Sequence, residues 1–571
     1  MTILRIAIGQ INPCVGDFEG NADVIIAVAG EARRMGAQLV VFPEMAITGF
    51  SAGDLTARQS VQDASARAMD RVAAALKKSP VTAVVGGIEN SDSLYKGAAI
   101  IHRGKILGFA RKRYLFCCGQ FDESNWFAAG DRTLVLETDK FRAAVTIGDD
   151  LGYPVFPGEV ELLINLWNEP YRSGHRPVRD RMMIERARED AVAMVMASPV
   201  GGHDELLFEG GSAVIDGFGV TVARAKYLET DLLVTDLDLR ELKAHRARVL
   251  HQSDGNNHLG KAHVIRLPEP WPQTRRPAKM PARIEARPKG ATEIFRALAV
   301  ATRDFVTRSG APRVFVGVSG GVDSALVAAI ATEALGKKAV TAVSMPGPYN
   351  SAETRADARR TAKNLGIKFL EIPIGPAYEA LKKSLAPAWK GKKPDCAEEN
   401  LQARVRGVLL MGLANKAHGL VLACGNKSEL ATGYATLYGD TAGAFAPLKD
   451  VYKGQVFALA EWYNEWKLKE VIPRSVIERA PSAELRPGQT DQDSLPPYPT
   501  LDRILSEMIE KRRSMAELVA EGEDEETVEK VAVMLLKSEF KRRQYPLGPG
   551  ISERPLAEVH FPVIKKIGWW K

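Results

Sequence analysis

The sequence predicts two α/β domains in series, the first layered and the second a doubly wound parallel sheet. Three observations carry that expectation. Strand-like and helix-like runs alternate through residues 1–265. The periodicity then breaks over 266–289, where prolines and charges replace it. Beyond that break, Val314-Phe-Val-Gly-Val-Ser-Gly-Gly-Val-Asp-Ser324 joins a buried, parallel-type strand through a glycine turn to an apolar helix.

In order along the chain, Met1-Thr-Ile-Leu-Arg-Ile-Ala-Ile-Gly-Gln10 alternates as a strand does and lacks the basic start and long apolar stretch of a secretory signal. Leu39-Val-Val-Phe42, Val81-Thr-Ala-Val-Val85, Ala143-Ala-Val-Thr-Ile147 and Ala193-Met-Val-Met-Ala197 read as strands, and 21–34 and 60–78 as helices. Arg266-Leu-Pro-Glu-Pro-Trp-Pro-Gln-Thr-Arg-Arg-Pro277, continuing to Pro288, reads as a linker stiffened by proline. The second domain, 290–571, opens with a helix over 293–309. The strand at 314–318, a turn over 319–323 and a helix over 325–335 follow. Residues 382–396, rich in lysine and proline, read either as a mobile flap near the site or as a solvated loop. There is no internal repeat.

At 571 residues the chain is long enough for two or three domains, each with an ample core. Apolar content of 45% and charged content of 26% are ordinary for a globular protein. No run of 18 apolar residues suggests a membrane span. Five cysteines without a CxxC pair point to a reducing cytoplasm, and away from zinc or a disulfide framework. The net charge of +7 is dispersed among acids, so clusters such as Lys541-Arg-Arg543 suit anionic small substrates or a solvated face better than nucleic acid.

Gly320 and Gly321 allow a close backbone approach, and the helix that follows offers N–H groups and a partial positive charge. That combination suits phosphate. It is not the GxxxxGK[ST] loop, because no lysine follows the glycines. The stretch resembles the pyrophosphate loop of enzymes that split ATP into AMP and pyrophosphate, although a purely structural turn has the same glycines. Glu399-Asn-Leu-Gln-Ala-Arg-Val-Arg-Gly407, Gly425-Asn-Lys-Ser-Glu429, Gly433-Tyr-Ala-Thr-Leu-Tyr-Gly-Asp440, Lys449-Asp-Val-Tyr-Lys453, Ala480-Pro-Ser-Ala-Glu-Leu485, Gln489-Thr-Asp-Gln-Asp-Ser-Leu-Pro-Pro-Tyr498 and Lys541-Arg-Arg-Gln544 follow in order. The ordered series resembles the synthetase domain of two-domain bacterial NAD+ synthetases.

That resemblance implies adenylation of deamido-NAD+ by ATP, then displacement of AMP by ammonia. It implies that Gly317, Val318, Ser319, Gly320, Gly321, Val322, Asp323 and Ser324 cradle the leaving pyrophosphate with backbone amides and the two serine hydroxyls. Cys424 stands where relatives usually have a threonine touching ATP. Asn400, Glu429, Tyr434, Ala435, Thr436, Leu437 and Lys541 fall where the family holds deamido-NAD+. Lys453 falls where a lysine meets the reacting phosphate or carboxylate, with Arg404 in a similar part. Asp323 and Glu429 are hard oxygen ligands suited to Mg2+. The bland alternatives are a helix cap for Asp323, a surface acid for Glu429 and solvated faces for the basic residues.

In the first domain, Val41-Phe-Pro-Glu44, Arg111-Lys-Arg-Tyr-Leu115 and Phe121-Asp-Glu123 resemble the nitrilase (carbon–nitrogen hydrolase) superfamily. Its chemistry needs a Glu as general base, a Lys for the oxyanion and a Cys nucleophile. Glu44 and Lys112 match the first two. The nucleophile should precede a Glu-Asp-x-x-x-Pro stretch, here Ala144-Val-Thr-Ile-Gly-Asp-Asp-Leu-Gly-Tyr-Pro154, which puts Gly148 in its place. Other glutamine-pocket positions differ too: Cys118 for a Tyr, Glu169 for a Ser and His175 for a Lys.

The reading is therefore an NAD+ synthetase, forming a carbon–nitrogen bond, whose first domain is a nitrilase fold without its nucleophile and whose direct donor is ammonia. Two rivals stand beside it: glutamine hydrolysis by Cys117 or Cys118 approaching Glu44 and Lys112, and a scaffold or regulatory protein without turnover. The resemblance also implies a large homo-oligomer, and the missing nucleophile leaves room for an outside source of ammonia.

Overall fold

The computed structural model describes residues 3–50, 52–116, 122–152, 160–250, 262–268, 270–271 and 280–568. Cys117, Cys118, Phe121 and Pro154 lie outside them. The chain divides into two compact units, Met1–Gly201 with Phe208–Pro288, and Gly202–Leu207 with Lys289–Lys571.

The first unit holds two sheets. One contains β1 (Ile3–Gln10), β2 (Leu39–Val41), β3 (Thr82–Asn90), β4 (Leu94–His102) and β5 (Lys105–Arg111). The other contains β6 (Thr133–Glu137), β7 (Arg142–Ile147), β8 (Leu162–Leu166) and β9 (Ala193–Ala197). A hairpin of β10 (Val200–His203) and β11 (Leu206–Glu209), whose residues Gly202–Leu207 belong to the second unit, precedes β12 (Ala213–Ile215), β13 (Thr221–Arg224), β14 (Asp231–Asp238) and β15 (Ala262–Arg266). Strand orders are β14-β1-β2-β3-β4-β5 and β13-β12-β9-β8-β7-β6-β15.

The period of two explains the layering. Leu4, Ile6 and Ile8 of β1 join Leu134, Leu136, Val145, Leu162 and Ile164 in one core between the sheets. Ala7, on the opposite face of β1, packs with α1 (Phe18–Arg34) and α2 (Gln59–Ala75). Val135, Ala144, Leu163 and Met194 face α3 (Arg176–Glu189) through Met183 and Ala187. The result is a helix–sheet–sheet–helix sandwich.

The stretch expected as a linker is in part a sheet edge. Arg266 closes β15, which pairs in parallel with β6, and Ile284 bridges Arg224. Proline-rich chain is held extended, and an extended segment pairs readily at an edge. Residues 272–279 lie outside the described part.

In the second unit, after the final helix of the first, α4 (Leu239–Leu250), come α5 (Gly290–Arg308), β16 (Val314–Gly317), α6 (Val322–Leu335), β17 (Val340–Ser344), α7 (Ala352–Leu365), β18 (Lys368–Glu371), α8 (Gly375–Leu385), α9 (Cys396–Lys416) and β19 (Leu420–Leu422). Their sheet is wholly parallel in the order β18-β17-β16-β19. The chain runs outward from β16 to β18 and then returns to place β19 on the other side. The crevice between the carboxyl ends of β16 and β19 is thus the switch point, where such sheets bind ligands. Residues 382–396 are helix at both ends: Lys382 lies in the last turn of α8, and Asp395 and Glu398 form a capping box for α9.

Candidate functional site

Both sides of the switch-point crevice carry chemistry. After β16, Gly320 takes φ +93°, and a Cβ there would meet the Thr354 carbonyl oxygen at 2.3 Å, so only glycine fits. Helix α6 starts at Val322, which puts Asp323 in its first turn rather than in the preceding turn. No side chain caps that helix at Gly321, leaving first-turn amides for an anion. The serine hydroxyls bond to the loop itself: Ser324 Oγ donates to the Gly321 carbonyl (3.0 Å), and Ser319 Oγ accepts from Gly321 N–H (3.2 Å). They brace the turn, and a hydroxyl that accepts, as that of Ser319 does, still has a proton to donate.

After β19, Asn426 caps α10 (Lys427–Thr432) with Glu429 in a capping box. The two sides meet at Lys453, the first residue of α11 (Lys453–Trp466), whose ammonium is 2.5 Å from Asp323 Oδ2 and 3.1 Å from Glu429 Oε1. Asn426 Nδ2 donates to the other Asp323 oxygen at 2.8 Å. Burial pulls the Lys453 ammonium down, but Asp323 and Glu429 outweigh it and hold it above its usual range. Burial, with Asp323 adding and Lys453 opposing, pushes Glu429 up to about 7. Among the described residues no three His, Cys, Asp or Glu side chains gather to hold a metal ion. A hard cation bound by Asp323 and Glu429 would draw its remaining ligands from phosphate and water, as Mg2+ ordinarily does.

Cys424 ends the β19 side with its thiol 3.9 Å from the Gly317 carbonyl, and burial pushes that thiol up, so it is neutral. Asn400, on α9, accepts from the Thr436 hydroxyl at 2.7 Å. Lys541 Nζ donates to the Gly433 and Ala435 carbonyls, each at 2.7 Å, and Arg404 Nε donates to the Leu437 carbonyl at 3.2 Å. The structure therefore brings Asn400, Lys541 and the 433–437 segment together, with Lys541 as a brace for that segment. Sequence reasoning gave Asn426 and Asp491 no role, though both lie in motifs it singled out. Asp491 is buried and accepts from the Tyr498 hydroxyl at 2.7 Å. It also missed the bracing of the loop by Arg479, which donates to the Gly320 carbonyl at 3.2 Å and pairs with Asp357.

In the first unit, Glu44 follows β2, and Lys112 follows β5 with its amide bonded to the Lys96 carbonyl of β4 at 2.9 Å. This lays two lysines side by side. Lys96 Nζ lies 3.0 Å from Glu44 and 2.6 Å from Glu123, and Lys112 Nζ lies 3.4 Å from Glu44 and 3.0 Å from Glu123. All four are at most 5% exposed, and two acids balance two lysines. Lys96 was missed, although it shares the inward face of β4 with Ala98 and Ile100, where a charge is conspicuous. Gly148 follows β7 with φ +55°; a Cβ there would stand 2.9 Å from Lys112 Nζ and 3.5 Å from Glu44 Oε2. Glu169 is exposed, 3.7 Å from Arg179, and His175 is exposed at the start of α3.

Two expected outcomes follow from this cluster. Lys96→Met should destabilise the first unit by about 3–5 kcal/mol, because it leaves two buried carboxylates on one lysine. Denaturant unfolding of Lys96→Met and of Lys96→Met/Glu44→Gln checks it, the double variant recovering part of the loss. Asp150 accepts from the amides of Arg113 (3.0 Å), Tyr114 (2.8 Å) and Ile147 (3.3 Å), tying the Lys112 segment to the end of β7. Burial pushes its carboxyl up to about 6 from 3.8, against the pull of those amides. Its protonation therefore favours the native state below the unfolded value, and that contribution is lost as pH rises through about 6. Melting curves between pH 4 and pH 7 should show this fall in the native protein and a shallower one in Asp150→Asn.

Residues 294–545 match the NAD synthase family and residues 5–247 the carbon–nitrogen hydrolase family. The chain is 41% identical to the glutamine-dependent NAD(+) synthetase of Thermotoga maritima, over 97% of each chain. The chain belongs to the two-domain NAD synthetase family. It is 37% identical to the Aquifex aeolicus glutamine-dependent NAD(+) synthetase, over 99% of this chain and all of the other. Among solved structures, the glutamine-dependent NAD+ synthetase of Acinetobacter baumannii in complex with adenosine diphosphate superposes with a TM-score of 0.72, at 33% identity and 98% coverage of both chains. As an NAD synthetase the chain is a ligase that forms a carbon–nitrogen bond, with ATP and deamido-NAD+ as substrates and ammonia or glutamine as the nitrogen donor. No helix among the described residues is long and apolar enough to cross a membrane.

Proposed function

We propose that this NAD synthetase uses ammonia as its direct nitrogen donor, its first unit being a carbon–nitrogen hydrolase fold without a nucleophile. The observation that carries this reading is Gly148. It is the residue whose Cβ would face both Lys112 and Glu44, and it has no side chain with which to form a thioester.

The names of the relatives favour the other donor: they are called glutamine-dependent, which fits a glutamine-driven enzyme better than one fed by ammonia alone. That second reading needs a nucleophile from elsewhere, Cys117 or Cys118, both outside the described residues.

In the second unit, first-turn amides of α6 and the 317–321 backbone hold the phosphates of ATP. Asn400, Tyr434, Ala435, Thr436, Leu437 and Lys541 hold deamido-NAD+, and the Lys453 ammonium meets the oxygens of the reacting carboxylate and phosphate. Asp323 and Glu429, both paired to the Lys453 ammonium, are hard oxygen ligands that would hold Mg2+ beside it, and the ion would neutralise charge on the departing pyrophosphate. The carboxylate of deamido-NAD+ attacks the α-phosphate, pyrophosphate leaves, and ammonia displaces AMP.

Initial rates of AMP release from ATP and deamido-NAD+ test the donor, with ammonium or glutamine supplied separately. Turnover with ammonium and none with glutamine supports the proposal; equal turnover with both refutes it; no turnover with either returns the chain to a scaffold role.

A further inference from the structure

The motif 489–498 has no part in the reaction as described so far, yet the structure folds it against Lys453. Asp491 opens a short turn, Asp491–Asp493, and its amide donates to the Pro481 carbonyl at 3.1 Å. Its side chain is 4% exposed and accepts from the Tyr498 hydroxyl at 2.7 Å. Tyr498 begins the helix Tyr498–Ile509 and is itself buried. The Lys453 ammonium stands over the Tyr498 ring, 5.3 Å from its centre, within range of a cation–π attraction.

Lys453 therefore has supports of two kinds. Asp323 and Glu429 supply charge, with Asp491 adding to it from further off, but the first two face the substrate crevice, where a metal competes for their oxygens and phosphate for the ammonium. The ring is a support that no anionic substrate displaces. A lysine turns about four bonds, and a ring fixed at its far end by a buried carboxylate gives the ammonium a defined seat. We propose that Asp491 is a positioning residue for the ligase reaction, fixing through the Tyr498 hydroxyl the ring on which the Lys453 ammonium rests. This rests on the reading that Lys453 meets the reacting groups. Burial pushes the Asp491 carboxyl up, and Lys453 and the Tyr498 hydroxyl pull it back.

The test compares Asp491→Ala, Tyr498→Phe, the double variant and Lys453→Ala, assayed for AMP release with deamido-NAD+ and saturating ammonium. Lys453→Ala should lose about 10²-fold or more in kcat. Tyr498→Phe should lose roughly tenfold in kcat and Asp491→Ala at least as much, because the ammonium is misplaced, with KM for ATP changed less than about twofold. The double variant should be no slower than Asp491→Ala alone, because that change already removes the bond to Tyr498 along with the charge that Asp491 turns on Lys453. Tyr498→Phe keeps the ring and its volume, so it remains informative even if Asp491→Ala folds poorly. Wild-type kcat in Tyr498→Phe, or a double variant as slow as the product of the two singles, overturns the proposal. Wild-type kcat in Lys453→Ala overturns the reading of Lys453, and this proposal with it, whereas an inactive Lys453→Ala beside a normal Tyr498→Phe sinks this proposal alone.

Discussion

Replacing Asp323 by alanine is expected to cut AMP formation from ATP and deamido-NAD+ by about 10²- to 10³-fold, whichever nitrogen source is present. The effect is large because one carboxylate serves several partners. Its Oδ2 is 2.5 Å from Lys453 Nζ, and its Oδ1 accepts from Asn426 at 2.8 Å. Without it, Lys453 keeps its ion pair with Glu429 and the more distant charge of Asp491, the Asn426 amide loses its acceptor, and one of two proposed Mg2+ ligands is gone. Asp323 is partly exposed in the first turn of α6, so the fold should survive the change. A variant that releases AMP at the native rate would show that the loop has been assigned the wrong task.

What could be read from the sequence was whatever depends on neighbours along the chain. Val314, Phe315 and Val316 form a strand buried on both faces, and such strands are continuous apolar runs. Gly320 announces its turn because no other residue fits against Thr354. The parallel sheet follows from strands separated by helices. Contacts made across the fold are another matter. Asp491 and Tyr498 are near neighbours, but the Lys453 ammonium over the Tyr498 ring comes from far back in the chain, and nothing local marks that meeting. Lys96 is a lone lysine until Lys112 is laid beside it and Glu123 is brought in. The serines of the loop read as phosphate ligands because Ser319 and Ser324 are spaced to face an anion. Their bonds back to the loop emerge only with the turn in place. Prolines 268–277 suggested a linker, since proline excludes helix; that the chain nearby lies along a sheet edge depends on the distant partners Glu137 and Arg224.

A thiol supplied at position 148 is not expected to revive glutamine hydrolysis. Loss of the nucleophile from a comparable covalent enzyme costs about 10⁶ in turnover, and restoring the atom does not restore its surroundings. A Cβ at 148 would sit 2.9 Å from the Lys112 ammonium, which Glu44 and Glu123 hold in place. The backbone there is at φ +55°, which an L side chain rarely adopts without support. Gly148→Cys should therefore leave glutamine-driven synthesis at the level of the unaltered chain. A glutamine-analogue electrophile should label neither Cys117 nor Cys118 in that chain. Robust glutamine-driven turnover that vanishes in Cys117→Ala or Cys118→Ala would establish a relocated nucleophile instead.

Competition between donors in one reaction tests the ammonia reading most directly. With ATP, deamido-NAD+, ordinary ammonium and amide-15N glutamine supplied together, the carboxamide nitrogen of the NAD+ formed can be weighed by mass spectrometry. If ammonia is the direct donor and Gly148 has ended hydrolysis in the first unit, the product is unlabelled at every glutamine concentration. Incorporation of 15N that rises with glutamine and is blocked by a glutamine-analogue electrophile would contradict it.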